Sequence, residues 1–266
     1  MKNKIAILGC GWLGFPLART LIADGCNING STTSEEKLKK LETAGIQPFL
    51  IRLSEEGIEG EVQPFLTDVD ALIINVPPKL RGGNRENYVK KMQLLHDSIE
   101  TSTVKKIIFV SSTSVYGDMG GEVTEKTVPE PVTESGKQLV VSEDIFRNNN
   151  NLKATIIRFG GLIGPDRHPV RMLSGRTDIA KGNAPVNLIH KNDCIEIIRK
   201  ILIKNWWNET FNGVYPNHPT KREYYTSKAI EKGLQVPHFD TTASKKGKTV
   251  SSYHLKTRGF EFTTAI

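Results

Sequence analysis

Short apolar runs alternate with amphipathic segments along the first 160 residues of the chain. A run such as IAIL, which is followed by glycine, is typical of a buried strand. These runs predict strands over residues 5–8, 26–30, 47–51, 71–76, 106–111 and 154–159. Helical spacing of apolar residues predicts helices over 15–24, 35–44 and 85–101, with Ser34 as the cap of the second. Strands that alternate with helices in this way predict an α/β fold, a doubly wound parallel sheet covered on both faces.

The pattern changes after residue 160, where glycines and prolines interrupt the chain. Amphipathic spacing predicts two more helices, over residues 192–204 and 221–233. We therefore predict a large sheet domain and a small C-terminal subdomain at one edge of the sheet, on the substrate side. The first comprises residues 1–160 and the helix 191–204, and the second comprises residues 161–190 and 205–266.

The stretch GCGWLG, which begins at Gly9, matches G-x-G-x-x-G directly after a predicted strand and at the start of a helix. Gly9 permits the tight turn, and Gly11 lets a pyrophosphate approach the backbone. Gly14 lets the helix and the strand pack closely. Trp12 and Leu13, inside the motif, are counted with the cofactor-binding residues. This context predicts that the sheet is a Rossmann fold that binds NAD or NADP.

The residues after the second predicted strand bear on which dinucleotide is preferred. A fold that selects NAD usually places Asp or Glu roughly 20 residues after the motif, where it holds the ribose 2′-hydroxyl. Here Ser31, Thr32 and Thr33 occupy that position. A carboxylate would repel the 2′-phosphate of NADP, whereas hydroxyl groups and a helix N-terminus accept it. We expect a preference for NADP, although the stretch contains no arginine and Lys37 is equally interpretable as a surface lysine.

Further motifs follow GCGWLG along the chain: DALIINVPP from Asp70, FVSSTSVYG from Phe109, IIRFGGLIGP from Ile156 and NLIHKND from Asn187. In this order they resemble the extended or atypical short-chain dehydrogenases/reductases, the NAD(P)-dependent epimerase/dehydratase group. FNGVYPNHPTKREYY, which begins at Phe211, resembles a later segment of the same group. The resemblance covers nearly the whole chain and implies an oxidoreductase or epimerase-like activity.

The resemblance also implies roles for individual residues. Ser112 matches the catalytic serine or threonine that hydrogen-bonds the reacting oxygen, although Ser111, Thr113 and Ser114 are equally available. Gly161 lies in the segment that the group places near the nicotinamide. Residues that match the strand ends along the cofactor are Asn75, Val76, Pro77 and Ser111.

The stretch VTESGKQLVVSE, which begins at Val132, departs from the group's pattern. The group carries Tyr-x-x-x-Lys before a glutamate, and alignment on Glu143 places Ser135 and Leu139 at the tyrosine and lysine positions. A serine hydroxyl cannot replace the tyrosine without a base beside it. The stretch therefore resembles the branch of the group that lacks the tyrosine, with Thr133 or Ser135 as a helix cap. Ser135 and Lys137 remain candidate catalytic groups, and Lys137 is equally interpretable as an exposed helix residue.

Arg167 and His168 are predicted either to bind an anionic substrate or to pack within their loop. His190 is interpreted as a structural histidine rather than a base. The main alternative to an enzyme is a catalytically silent NAD(P)-binding protein that senses the cofactor or binds a partner.

Composition excludes several other classes. Cys10, Cys26 and Cys194 are too widely spaced for a zinc site or a disulfide framework, and they suit a reducing cytoplasm. The net charge of +7 comes from scattered lysine pairs without interleaved aromatic residues, so nucleic-acid binding is not expected. The apolar runs are too short for a membrane span, and no signal peptide or metal site is expected. The expected partner is a small molecule, and the sequence does not predict the oligomeric state.

Overall fold

The computed structural model of the chain describes residues 3–78, 80, 86–240 and 247–266. The strands are β1 Lys4–Leu8, β2 Asn27–Thr32, β3 Gln47–Leu50, β4 Arg52–Leu53, β5 Ile58–Glu59, β6 Ala71–Ile74, β7 Lys106–Ser112, β8 Gly121–Val123, β9 Lys153–Phe159, β10 Gly161–Ile163, β11 Leu188–His190, β12 Thr210–Gly213 and β13 Lys248–Val250. The helices are α1 Gly14–Ala23, α2 Leu38–Thr43, α3 Val62–Leu66, α4 Tyr88–Glu100, α5 Glu134–Arg147, α6 Val170–Leu173, α7 Lys191–Lys204, α8 Lys221–Glu231 and α9 Tyr253–Thr257. Glu35–Lys37 and Thr113–Tyr116 are 3-10 turns.

Seven parallel strands form the central sheet, in the order β12-β9-β7-β6-β1-β2-β3. The order reverses between β1 and β6, because the chain first adds β2 and β3 on one side of β1 and then returns to the other side. Ligands of such sheets bind in the crevice beyond the carboxyl ends of the strands at this switch point. The predicted doubly wound α/β fold is confirmed.

Helices cover both faces of this sheet. Met92 of α4 and Phe146 of α5 are fully buried against one face, and Leu17 of α1 and Ile198 of α7 against the other. All the residues of β6 are buried, because helices cover both faces of the strand. Such a strand is almost continuously apolar. None of the helices in the described ranges is both long and apolar enough to cross a membrane.

A third, smaller cluster of buried residues lies outside the sheet. It is formed by the parallel pair β10–β11 and by α6 and α8, with Val170, Leu188 and Tyr224 buried together. β12 lies within residues 205–266, which were predicted to belong to the small subdomain. Its pairing with β9 instead places it at the edge of the central sheet. The division of the chain into two domains stays a prediction.

Several element boundaries differ from the predicted ones. β2 continues through Thr32, because hydroxyl residues that suggest a turn also fit an extended strand. The predicted helix 35–44 is a 3-10 turn followed by the short α2, and the Ser34 side chain makes no capping hydrogen bond. α4 begins at Tyr88, where Asn87 accepts a hydrogen bond from Lys90 N; the predicted start at residue 85 lies outside the described residues.

Candidate active site

The glycines of GCGWLG have three different surroundings. Gly9 has a φ of +104°, and a Cβ there would lie 2.6 Å from the carbonyl oxygen of Asn75. A Cβ on Gly14 would overlap the carbonyl oxygen of Gly9. At Gly11, no atom of the described chain lies within 4 Å of the place that a Cβ would take. The first and third glycines therefore permit close packing, and the second leaves open space before α1, which fits the pyrophosphate of a dinucleotide.

Asn75 connects this loop to the end of β6. Its Nδ2 donates a hydrogen bond to the carbonyl oxygen of Gly9 at 3.0 Å. The carbonyl oxygen of Val76 accepts a 2.7 Å hydrogen bond from the buried hydroxyl of Tyr88, and Pro77 is exposed. The ends of β1 and β6, which are followed by the two groups of predicted cofactor residues, thus meet at the switch point.

The hydroxyl residues at the end of β2 and directly after it do not all face solvent. Ser31 is buried, and its Oγ accepts a 2.9 Å hydrogen bond from Gly9 N. Thr32 is also buried, and its Oγ1 accepts a hydrogen bond from Ser34 N at 3.2 Å. Thr33 is exposed, and its carbonyl oxygen accepts a hydrogen bond from Arg52 Nε at 3.2 Å. Ser31 therefore supports the glycine-rich loop, and Thr33 is the hydroxyl residue that solvent can reach.

Trp12, between Gly11 and the buried Leu13, joins the glycine-rich loop to the segment after β10. Its Nε1 donates a hydrogen bond to Asp166 Oδ1 at 2.9 Å, which lowers the pKa of that carboxyl group below its ordinary value. Lys191 Nζ lies 4.7 Å from the indole ring centroid, and the guanidinium carbon of Arg167 lies 5.1 Å from it. Both distances are in the range of cation–π attraction.

β10 is positioned by close packing at its first residue. A Cβ on Gly161 would lie 2.6 Å from a methyl carbon of Leu188, and Gly161 N donates a hydrogen bond to the carbonyl oxygen of Asn187 at 2.8 Å. A Cβ on Gly164 would lie 2.8 Å from the Trp12 ring. The glycines of this segment therefore allow β10 to pack against β11 and the following turn to reach Trp12.

Ser112 ends β7 and begins the 3-10 turn Thr113–Tyr116. Its Oγ accepts a hydrogen bond from Ser114 N at 3.2 Å, and its side chain is partly exposed. The first turn of α5 packs against this turn, because a Cβ on Gly136 would lie 2.9 Å from the carbonyl oxygen of Ser114. Thr133 caps α5 by accepting a hydrogen bond from Gly136 N at 3.1 Å.

The positions of the missing catalytic pair have contrasting environments. Ser135 is partly exposed in the first turn of α5, next to Gly136. Leu139 is only 3% exposed and belongs to the core between α5 and the sheet. Lys137 is exposed on the same helix. Burial of Leu139 explains why an apolar residue is stable at the lysine position.

A lysine from the C-terminal part of the chain reaches the turn after Ser112. Lys248 Nζ donates hydrogen bonds to the carbonyl oxygens of Thr113 and Gly117, at 3.0 and 2.5 Å. Burial lowers the pKa of its ammonium group, while the charges of Asp118 and Lys181 act on that pKa in opposite directions. Lys248 was not predicted from the sequence, because it lies in no motif and reaches this turn through the pairing of β13 with β8.

Ser111, which precedes Ser112, points into a buried polar network. Its Oγ donates a 2.6 Å hydrogen bond to Glu143, and Arg158 forms a 2.6 Å ion pair with the same carboxylate. Arg158 also donates to the hydroxyl of Tyr116 at 2.9 Å, and Tyr116 donates to Asn212 at 2.8 Å. The Ser111 hydroxyl thus links the end of β7 to α5 inside the protein, and a contact of Ser111 with the cofactor stays a prediction.

His168 and His190 both have structural partners. His168 Nδ1 accepts a hydrogen bond from Val170 N at 3.2 Å, and its Nε2 lies 2.9 Å from the hydroxyl of Tyr224. Burial, with help from nearby lysines, lowers the pKa of His168 to about 4, so the ring is neutral. His190 Nδ1 accepts a hydrogen bond from Asn192 N at the start of α7. These contacts support the packing interpretation for His168, while Arg167 is exposed beside Trp12.

Comparison with known proteins agrees with this geometry. Residues 9–189 match a family described as NAD(P)H-binding. Protein YeeZ of Escherichia coli K12 is 37% identical over 263 residues, which span 98% of this chain and 96% of YeeZ. The UDP-glucuronic acid 4-epimerase of Bacillus cereus, solved with NAD, has a TM-score of 0.80 at 19% identity and covers 98% of this chain and 92% of its own. DesIV, a dTDP-glucose 4,6-dehydratase of Streptomyces venezuelae, has a TM-score of 0.80 at 17% identity with the same coverage. The chain therefore belongs to the NAD(P)H-binding family and has the fold of the NAD-dependent epimerases and dehydratases, as its motifs predicted.

Proposed function

We propose that the protein is an NADP-preferring oxidoreductase or epimerase-like enzyme that acts on a polar small molecule with an anionic group. The observation that carries the proposal is the position of Ser112, at the carboxyl end of β7 and directly before the turn that packs against the first turn of α5. Bound NADP would supply the hydride acceptor or donor. Ser112 would donate a hydrogen bond to the oxygen on the reacting carbon and hold it in one orientation.

The charge that develops on this oxygen needs a partner other than the family's tyrosine and lysine. Ser135 has a hydroxyl of high pKa and no base assigned to it. We place Lys248 in this role, since its ammonium group is fixed by two carbonyl oxygens on the turn that follows Ser112. The lowered pKa favours proton release from this lysine relative to an exposed one.

An anionic substrate is supported by the lysines around Asp118. Lys181 Nζ lies 2.9 Å from the Asp118 carboxylate. Lys221 and Lys248 are both partly buried, and burial lowers the pKa of each ammonium group; the charge of Lys181 also lowers these pKa values, whereas the carboxylate of Asp118 raises them. Lys181, Lys221 and Lys248 outnumber the Asp118 carboxylate, so a phosphate or carboxylate bound among them would compensate the remaining positive charge.

The test is single-turnover oxidation of NADPH in the presence of phosphorylated or carboxylated carbonyl compounds. We expect turnover with at least one of these classes, and a loss of roughly 100-fold or more in Ser112→Ala, because a hydrogen bond to the reacting oxygen is lost. Ser227→Ala, an exposed serine on α8, is the matched control. Fast turnover that Ser112→Ala leaves unchanged would contradict the role of Ser112.

A second candidate is a cofactor sensor without turnover, and the burial of Leu139 favours it. The catalytic lysine position is filled by a core residue that is 3% exposed, and the tyrosine position holds Ser135. Such a protein needs only cofactor binding that distinguishes the oxidised from the reduced form. Calorimetric titration with NADP⁺ and NADPH separates the candidates: different affinities for the two forms without any turnover support the sensor.

A further inference from the structure

Arg52 lies beside the end of β2, although 19 positions separate it from Thr33 in the sequence. Ile51 N donates a hydrogen bond to the carbonyl oxygen of Thr32 at 3.0 Å, so the chain after β3 follows β2 to its end. Arg52 is the next residue, and its Nε donates to the carbonyl oxygen of Thr33 at 3.2 Å. Its guanidinium group is therefore held where the strand leaves the sheet, which is where folds of this type recognise the adenosine ribose.

The charge of Arg52 is only weakly compensated. Its Nη1 lies 3.7 Å from Glu59 Oε2, and the two side chains are 47% and 70% exposed. Exposed ion pairs of this kind contribute little free energy, so a better anion can replace the carboxylate. Glu35 and Glu36 are also exposed on the next turn, and they would repel a phosphate if no cation stood beside it.

We propose that Arg52 binds the 2′-phosphate of NADP and thereby sets a preference for NADP over NAD. A guanidinium group binds phosphate through two parallel hydrogen bonds, which a lysine cannot reproduce. The exposed Thr33, in contact with Arg52 through its carbonyl oxygen, adds a hydroxyl at the same place. This inference rests on the NADP preference in the proposed function and names the residue responsible for it.

The experiment is calorimetric titration of the full chain with NADP⁺ and with NAD⁺. Arg52→Gln should weaken NADP⁺ binding by roughly tenfold to 100-fold, the usual effect of losing hydrogen bonds to a charged group, and should change NAD⁺ binding by less than about threefold. Arg52→Lys should fall between Arg52→Gln and the wild type. Glu59→Gln should strengthen NADP⁺ binding, because it removes a competing carboxylate. Arg19→Gln, an exposed arginine on α1, is the matched control and should leave both affinities unchanged.

The outcomes separate this inference from the wider proposal. Equal losses of NADP⁺ and NAD⁺ affinity in Arg52→Gln, in a variant that melts like the wild type, would overturn the role of Arg52. If Arg52→Gln still preferred NADP⁺ as strongly as the wild type, the role of Arg52 would also be overturned. Other residues would then bind the 2′-phosphate. Tighter binding of NAD⁺ by the wild type would overturn both the inference and the NADP preference.

Discussion

Trp12 Nε1 and Asp166 Oδ1 are joined by a 2.9 Å hydrogen bond, although 154 positions separate the two residues in the sequence. The bond connects the glycine-rich loop, which follows β1, to the turn that follows β10. Lys191 and Arg167 lie against the same indole ring. The glycine-rich loop is therefore held from the side of the small region, through the indole ring of Trp12.

Replacement of Trp12 should therefore weaken cofactor binding without unfolding the protein. Trp12→Ala should lose about tenfold in NADP⁺ affinity, since it removes a hydrogen bond and two cation–π contacts. Trp12→Phe keeps a ring and should lose less. Titration calorimetry measures both variants, with Trp207→Ala as a control at the far edge of the sheet. Equal affinity in Trp12→Ala and the wild type would show that the loop needs no such support.

Two glycine substitutions should separate binding from folding. Gly11→Leu should abolish NADP⁺ binding, because the leucine side chain would fill the space assigned to the pyrophosphate. Its melting temperature should stay close to that of the wild type, because no atom of the described chain lies within 4 Å of the position of a Cβ on Gly11. Gly14→Ala should instead lower the melting temperature, because its Cβ would overlap the Gly9 carbonyl. Thermal denaturation and calorimetry on both variants test this contrast. Normal cofactor affinity in Gly11→Leu would remove the basis for the assigned binding loop.

The neutral ring of His168 should contribute to acid sensitivity. Its pKa is lowered from an ordinary 6.5 to about 4 in the folded protein, chiefly by burial. Between these values the unfolded chain binds more protons than the folded one, so folding stability falls as the pH drops from about 6.5 toward 4. Melting temperatures across this range should fall less steeply in His168→Gln than in the wild type. Parallel curves would mean that His168 titrates normally in the folded protein.

Installing the family's catalytic pair should cost stability at one of its two positions. Leu139→Lys would bury an unpaired ammonium group, and we expect a loss of about 3 kcal/mol or more in the free energy of unfolding. Ser135→Tyr, at a partly exposed position, should be tolerated. Val141→Lys on the same helix is the control, since Val141 is 49% exposed. Urea denaturation compares the three variants, and a small effect of Leu139→Lys would mean that this side chain can turn toward the crevice.

The sequence predicted the position of the glycine-rich loop between a strand and a helix, because GCGWLG, the strand before it and the helix after it are contiguous. Thr133 was correctly among the predicted caps of α5 for the same local reason. The environment of Ser31 was not predictable, because the donor to its hydroxyl group, Gly9 N, lies 22 positions away in the sequence. Hydroxyl residues at a strand end have the same sequence pattern whether they face a ribose or the interior.

Residues brought in from other strands were missed altogether. Arg52 reaches the end of β2 only because β3 pairs with β2 and carries the chain past it. Lys248 reaches the turn after Ser112 through the pairing of β13 with β8. Such placements follow from long-range pairing, which no local pattern of apolar and polar residues encodes.

The position of β12 at the edge of the sheet has a consequence for synthesis of the chain on the ribosome. β9 has no neighbour on its outer side until residues Thr210–Gly213 have emerged and paired with it. Until then the nascent chain exposes an unpaired strand edge, a known template for aggregation. Asn212, which accepts the hydrogen bond from Tyr116, also arrives only at this stage. The polar interior around Arg158 is therefore completed late, after most of the chain has already been made.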